Sequence, residues 1–146
     1  MNIIILGAGS VGASVAENLA LESNDVTMID TDSEKLHALQ DRLDIRTIIG
    51  HASHPSVLEQ AGAADADMLL AVTDSDEVNM VACQMAATLF NTPNKIARVR
   101  ASAYLDRKEL LQQEQALVDM FISPEQVVTD YIQKLLERPG SLQVLD

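Results

Sequence analysis

Six short runs rich in isoleucine, valine and leucine alternate with helical patterns along this chain: Asn2–Leu6, Asp25–Asp30, Arg46–Gly50, Met68–Thr73, Lys95–Arg100 and Met120–Ile122. That order restricts the fold more than any other feature. Strands separated by a helix pair in parallel, because only a long crossover returns the chain to the same end of the sheet. The runs are continuously apolar rather than alternating, as in strands covered on both faces. The expected architecture is α/β, a doubly wound parallel six-stranded sheet with helices on both faces, built from βαβαβ twice over. At 146 residues the chain is long enough for one core of ordinary size.

The intervening segments carry the periodicity and end signals of helices. Val11, Val15 and Leu19 recur at a spacing of four, and Leu36, Leu39 and Leu43 form one stripe. Thr31-Asp32-Ser33-Glu34 has capping-box spacing, and Ser53-His54-Pro55 suits a helix start with proline in the first turn. From Glu77 to Phe90 the apolar residues spread around most of the circumference, so one face can cover the sheet while the other calls for a partner. Ser123-Pro124-Glu125-Gln126 opens a last helix that stops near Arg138-Pro139-Gly140, with Val127, Val128, Tyr131, Ile132, Leu135 and Leu136 as a second broad apolar surface. A homodimer at least is expected. Residues 1–138 read as one domain, and 139–146 either as the start of a following lobe, cut short, or as a frayed C-terminus.

Gly7-Ala8-Gly9-Ser10-Val11-Gly12 fits G-x-G-x-x-G, directly after a strand and at the opening of a helix. In this context, a Rossmann-type βαβ unit, Gly7 permits the tight turn, Gly9 admits a pyrophosphate close to the backbone, and Gly12 lets helix and strand approach. The helix N-terminus adds amides and a partial positive charge. Asp30 closes the second strand 18 residues after Gly12, where a carboxylate can accept hydrogen bonds from ribose hydroxyls or serve as a helix cap. A carboxylate there disfavours a 2′-phosphate, although the nearby Lys35 could offset it. Thr73 and Asp74 end the fourth strand, where the crossover direction changes and a ligand crevice opens; Asp74-x-x-Glu77 also has cap spacing. Arg98 and Arg100 fall on one face of the fifth strand near its carboxyl end, available to a phosphate or to a surface carboxylate.

Two further patterns carry less. His51-x-x-His54 has the spacing of two metal ligands but no third at a matching distance, and no metal is expected. Tyr104-x-x-x-Lys108 imitates the catalytic pair of short-chain dehydrogenases, yet the glycine spacing differs from theirs and no substrate lobe accompanies it. No catalytic residue is therefore assigned.

With 22 acidic against 10 basic side chains the net charge is −12, which repels nucleic acid and anionic lipid alike. Any work at a membrane would pass through a protein partner. Cys83 is the single cysteine, so no disulfide forms within the chain, and its apolar neighbours point to a buried thiol. The N-terminal run lacks the basic flank and cleavage site of a secretory signal, and a cytoplasmic location is expected.

Further stretches, Gly50-His51-Ala52-Ser53-His54-Pro55, Ala61-Gly62-Ala63, Ala66-Asp67-Met68, Ala71-Val72-Thr73, Asp76-Glu77, Asn79 and Phe90-Asn91-Thr92-Pro93-Asn94, together with Arg98 and Pro124-Glu125, carry a resemblance over essentially the whole chain. It resembles the TrkA family, the peripheral NAD-binding subunits of bacterial Trk potassium uptake, with their regulator-of-potassium-conductance domain. The resemblance implies that Gly7, Ala8, Gly9, Ser10, Val11 and Gly12 hold the phosphates, Asp30 the ribose, and Thr73, Asp74 and Arg98 the remaining nucleotide edge. It also implies NAD(H), with ATP or ADP as effectors, as a signal rather than a consumed substrate. The implied assembly is a dimer or ring that modulates a membrane potassium transporter from its cytoplasmic face. Some relatives place an arginine where this chain has Ser10, so a contact from that position to a neighbour's nucleotide is not carried over. The rival reading is the cofactor-binding domain of an NAD-dependent oxidoreductase.

Overall fold

The computed structural model describes residues 1–107 and 120–122. In chain order these form β1 (Asn2–Leu6), α1 (Ser10–Leu21), β2 (Asp25–Asp30), α2 (Ser33–Gln40), β3 (Arg46–Ile49), α3 (Pro55–Gln60), a 3-10 turn (Ala63–Asp65), β4 (Met68–Ala71), α4 (Asp76–Phe90), β5 (Asn94–Arg98), α5 (Ser102–Leu105) and β6 (Met120–Ile122). All six strands are parallel, in the order β3-β2-β1-β4-β5-β6. The order reverses between β1 and β4, the switch point of a Rossmann-type sheet. The final helical pattern from Ser123, its apolar surface and the boundary at residue 138 lie outside the described residues.

Alternate residues of each strand feed two cores. On one face Ile3, Ile5, Met28, Met68 and Leu70 meet Val11, Val15 and Leu19 of α1 and Leu36 and Leu39 of α2. On the other, Ile4, Leu6, Leu69 and Ala71 meet Leu58 of α3 and Ala82, Cys83 and Ala86 of α4. Each large side chain so enclosed stabilises the fold by roughly 1.5–3 kcal/mol relative to exposure. Where α4 covers the sheet, the second core includes small residues, Ala71 and Ala97 of the strands with Ala82 and Ala86 of the helix. Val81 (41% exposed) and Leu89 (53%) lie on the outer side of α4, so its apolar circumference is only partly used by the sheet.

Three strands stop earlier than their composition predicts. The β1–β4 register ends at Leu6↔Ala71 because Gly7, at φ +104°, turns β1 away, and Val72 and Thr73 are left in a loop. The extended pairing of β5 ends at Arg98, so Arg100 sits in the following loop, and β3 ends at Ile49. Two caps also differ from expectation. Asp32 rather than Thr31 caps α2, accepting from the amides of Glu34 and Lys35; Ser75 rather than Asp74 caps α4, accepting from the Val78 amide. In both cases the residue beside the helix has extended backbone, which points its short oxygen-bearing side chain at the first-turn amides. His54 and Pro55 begin α3 as expected, and Cys83 is buried.

Candidate functional site

At the carboxyl ends of the strands a crevice of about 640 Å³ opens over the switch point. Gly7, Gly9, Ser10, Val11, Asp30, Thr73, Asp74 and Arg98 all line it, so residues from four separate segments of the sequence converge there. Ala8 and Gly12 do not. Ala8 is buried behind the loop, and a Cβ on Gly12 would stand 1.8 Å from the Gly7 carbonyl oxygen. Gly12 thus allows the helix to meet the turn itself, a closer approach than the helix-on-strand contact expected of it. A Cβ on Gly7 would lie 3.0 Å from the Thr73 Cα and the Val72 oxygen, where the glycine loop touches the β4 loop. Gly9 has nothing within 4 Å of its notional Cβ, so its missing side chain leaves open crevice.

The glycine loop is held by Asp30. Its Oδ2 accepts from the Ala8 amide at 2.7 Å and its Oδ1 from the Asp32 amide at 2.8 Å. Its backbone oxygen accepts from the Gly50 amide at 3.0 Å. One residue at the end of β2 therefore ties together the loops after β1, β2 and β3. Each carboxylate oxygen keeps a further lone-pair site, so the bracing role and acceptance from ribose hydroxyls are compatible. Gly9 caps α1 without any side-chain hydrogen bond and no acidic residue occupies the first turn, so the helix presents its amides and dipole to the crevice.

Across the switch point, the Arg100 guanidinium donates to the Asp74 carbonyl at 2.7 Å and bends back over the β4 loop. Arg100 and Lys35 line the crevice alongside Arg98, as do the acidic residues Asp30, Asp32 and Asp74. His51 lines it as well, its ring 4.7 Å from that of His54 and tilted by 35°. Among the described residues no group of three His, Cys, Asp or Glu could hold a metal ion, so the histidine pair stays a pair. Composition gave no reason to place His51 at the crevice; its position immediately after the carboxyl end of β3 was the available signal. Asn79, buried under the β4 and β5 ends, was part of the family resemblance, but the residues alone gave it no role.

The Tyr104 hydroxyl donates to Glu77 at 3.2 Å, and this bond together with the carboxylate's charge holds its pKa above the usual tyrosine value. A tyrosine acting as a proton-transfer group in a dehydrogenase needs the opposite shift. Lys108, the other half of that pattern, lies outside the described residues. No described helix is long and apolar enough to cross a membrane.

The TrkA-N domain family matches residues 3–124. The chain belongs to this family. It is 63% identical over 146 residues to the Trk system potassium uptake protein TrkA of Halomonas elongata, covering 100% of this chain and 32% of that protein. The chain therefore spans about a third of the length of such relatives. Its fold is that of the TrkA-N domain of the inner membrane protein ybaL from Escherichia coli, with a TM-score of 0.73 at 18% identity over 92% of this chain and 96% of that one. The GsuK channel bound to NAD shares it too, with a TM-score of 0.68 at 18% identity over 83% of this chain and 21% of the channel.

Proposed function

We propose that this TrkA-N domain binds an adenine dinucleotide, NAD(H), in the switch-point crevice as a regulatory signal. In this reading ATP or ADP act as alternative effectors, and the output is modulation of a membrane potassium transporter. The observation that carries it is the convergence of a glycine loop left open at Gly9, a helix start without a side-chain cap and the Asp30 carboxylate along one wall. That sequence of groups suits pyrophosphate and then ribose. Thr73, Asp74 and Arg98 form the opposite wall, and the planar guanidinium of Arg98 matches phosphate oxygens. The likeness to TrkA of Halomonas elongata and the NAD carried by GsuK support the same ligand class and the same kind of partner.

A domain of this kind alters its partner only by the difference in nucleotide affinity between two arrangements of the assembly. Paired domains supply such arrangements, and the exposed Val81 and Leu89 on α4 offer apolar surface for the pairing. The net charge of −12 supports attachment to the cytoplasmic side of a membrane through the transporter rather than through lipid. Titration with NADH, NAD, ATP and ADP, beside a turnover assay with NADH and small carbonyl compounds, tests the proposal. Binding without turnover is expected. Steady oxidation of NADH would establish an oxidoreductase domain instead, and absence of binding by all four nucleotides would end the nucleotide reading.

A further inference from the structure

The β4–β5 wall of the crevice is gripped from beneath by one face of α4. Asp76 and Asn79, three residues apart and so on the same side of the helix, are both polar and both buried. The Asp76 carboxylate accepts from the amides of Arg100 (3.1 Å) and Ala101 (2.8 Å). Asn79 is 0% exposed, and its Oδ1 accepts from the amide (2.9 Å) and the hydroxyl (2.7 Å) of Thr73. Its Nδ2 donates to the carbonyls of Thr73 (3.1 Å) and Arg98 (2.8 Å). All four hydrogen-bonding positions of the amide are used, which also settles which atom is oxygen and which nitrogen.

These partners are not scattered. Thr73 and Arg98 line the crevice at the ends of β4 and β5, while Asn79 itself does not reach it. Asn79 therefore joins the two strand ends at a fixed separation. It also takes the Thr73 hydroxyl proton, and the Ser75 amide donates to the same oxygen at 3.2 Å. The same hydroxyl also lies 3.2 Å from the Ser75 carbonyl oxygen, so Thr73 is fixed between the loop and α4.

We propose that Asn79 is a positioning residue for the part of the nucleotide beyond the first phosphate, setting the Thr73–Arg98 wall and with it the preference for a dinucleotide over AMP. This rests on the nucleotide reading above. AMP spans only the glycine loop and Asp30, so its binding does not draw on the wall that Asn79 holds.

Calorimetric titration of wild type, Asn79→Ala and Asn79→Asp with AMP and with NADH tests it, alongside Leu69→Ala as a destabilised control in the same core. Asn79→Ala is expected to leave AMP affinity within about twofold and to weaken NADH about tenfold or more, the effect of one to two buried hydrogen bonds. Asn79→Asp keeps the volume and both acceptor bonds from Thr73, so it remains informative if the alanine variant does not fold. It loses both donors and sets a charge against the Arg98 carbonyl, and should show the same selective loss. Leu69→Ala should leave the ratio of NADH to AMP affinity unchanged. Equal losses for AMP and NADH in the Asn79 variants, an unchanged NADH affinity, or the same ratio shift in Leu69→Ala would each overturn the positioning role while wild-type NADH binding left the nucleotide reading intact. Failure of wild type to bind NADH would instead remove that reading, and this inference with it.

Discussion

On the β1–β2 side of the crevice the holding groups are backbone amides, three glycines and one half-buried carboxylate; on the β4–β5 side they are polar side chains buried in the first turns of α4. The first side works by leaving side chains out, so that main chain comes close to main chain and to a ligand. The second works by satisfying buried polar atoms, where removing one partner leaves others unpaired at a cost of about 1–3 kcal/mol. The two sides should therefore fail differently under mutation. A substitution on the glycine side should act on any nucleotide that has a phosphate and a ribose, whereas one on the α4 side should discriminate among nucleotides.

The largest effects are expected within the glycine loop, where two glycines three residues apart should both lose binding but differ in stability. Gly12→Ala forces a Cβ into the Gly7 carbonyl, so the turn must move; a loss of about 1–3 kcal/mol in stability is expected, together with loss of binding to AMP and NADH alike. Gly9→Val meets open space and should keep the wild-type melting temperature while abolishing nucleotide binding, because the branched side chain fills the crevice. Thermal melts paired with titrations check both. A Gly9→Val protein that still binds NADH would move the phosphates off this loop.

A smaller loss is expected for Asp30→Ala, which removes a charged acceptor from the ribose and frees the Ala8 and Asp32 amides. Charged hydrogen bonds of this kind contribute about 1.5–3 kcal/mol, so affinities for AMP and NADH should fall together by roughly 10- to 100-fold. If NADH weakens and AMP does not, Asp30 belongs functionally to the other wall. The smallest effect is expected at Arg98→Ala, where a half-buried arginine is lost from the β5 end. Affinity for AMP should be unchanged, while the ratios among NADH, NAD, ATP and ADP should shift by about 3- to 10-fold, with thermal stability little altered. Unaltered ratios would pass the reading of phosphate charge to Arg100 or Lys35, which line the same crevice.

The difference between the two walls also decides what was legible before any coordinates. Alternation of apolar runs with helical stripes was enough for the parallel sheet, because period and turn residues are local properties of the chain. The glycine motif and the acid 18 residues beyond it were legible for the same reason: their geometry is built within one βαβ unit, from residues near in sequence. Strand ends were less so. Val72 and Thr73 have strand composition, yet their pairing stops because a distant glycine turns β1 away. The caps at Asp32 and Ser75 were missed by one residue each, since either neighbour carries a suitable oxygen and only the backbone angle chooses between them.

On the α4 wall Thr73, Asp74 and Arg98 were legible as candidate ligand contacts and Asp76 and Asn79 only as part of the family resemblance, while the bonds that join them were not. In sequence Asn79 is one polar residue among apolar neighbours, and nothing local distinguishes an exposed asparagine from one whose four bonds reach Thr73 and Arg98, the latter 19 residues away. Likewise, His51 enters the crevice only because β3 lies beside β2 in the folded sheet. By itself the sequence determined the sheet, its crossovers and the glycine loop at the mouth of the crevice, since these follow from periodicity and from glycines that need no partner. Tertiary structure alone decided which polar side chains share the crevice and which hold it from below, because a buried hydrogen bond is defined by the arrangement of groups that the chain brings together from far apart.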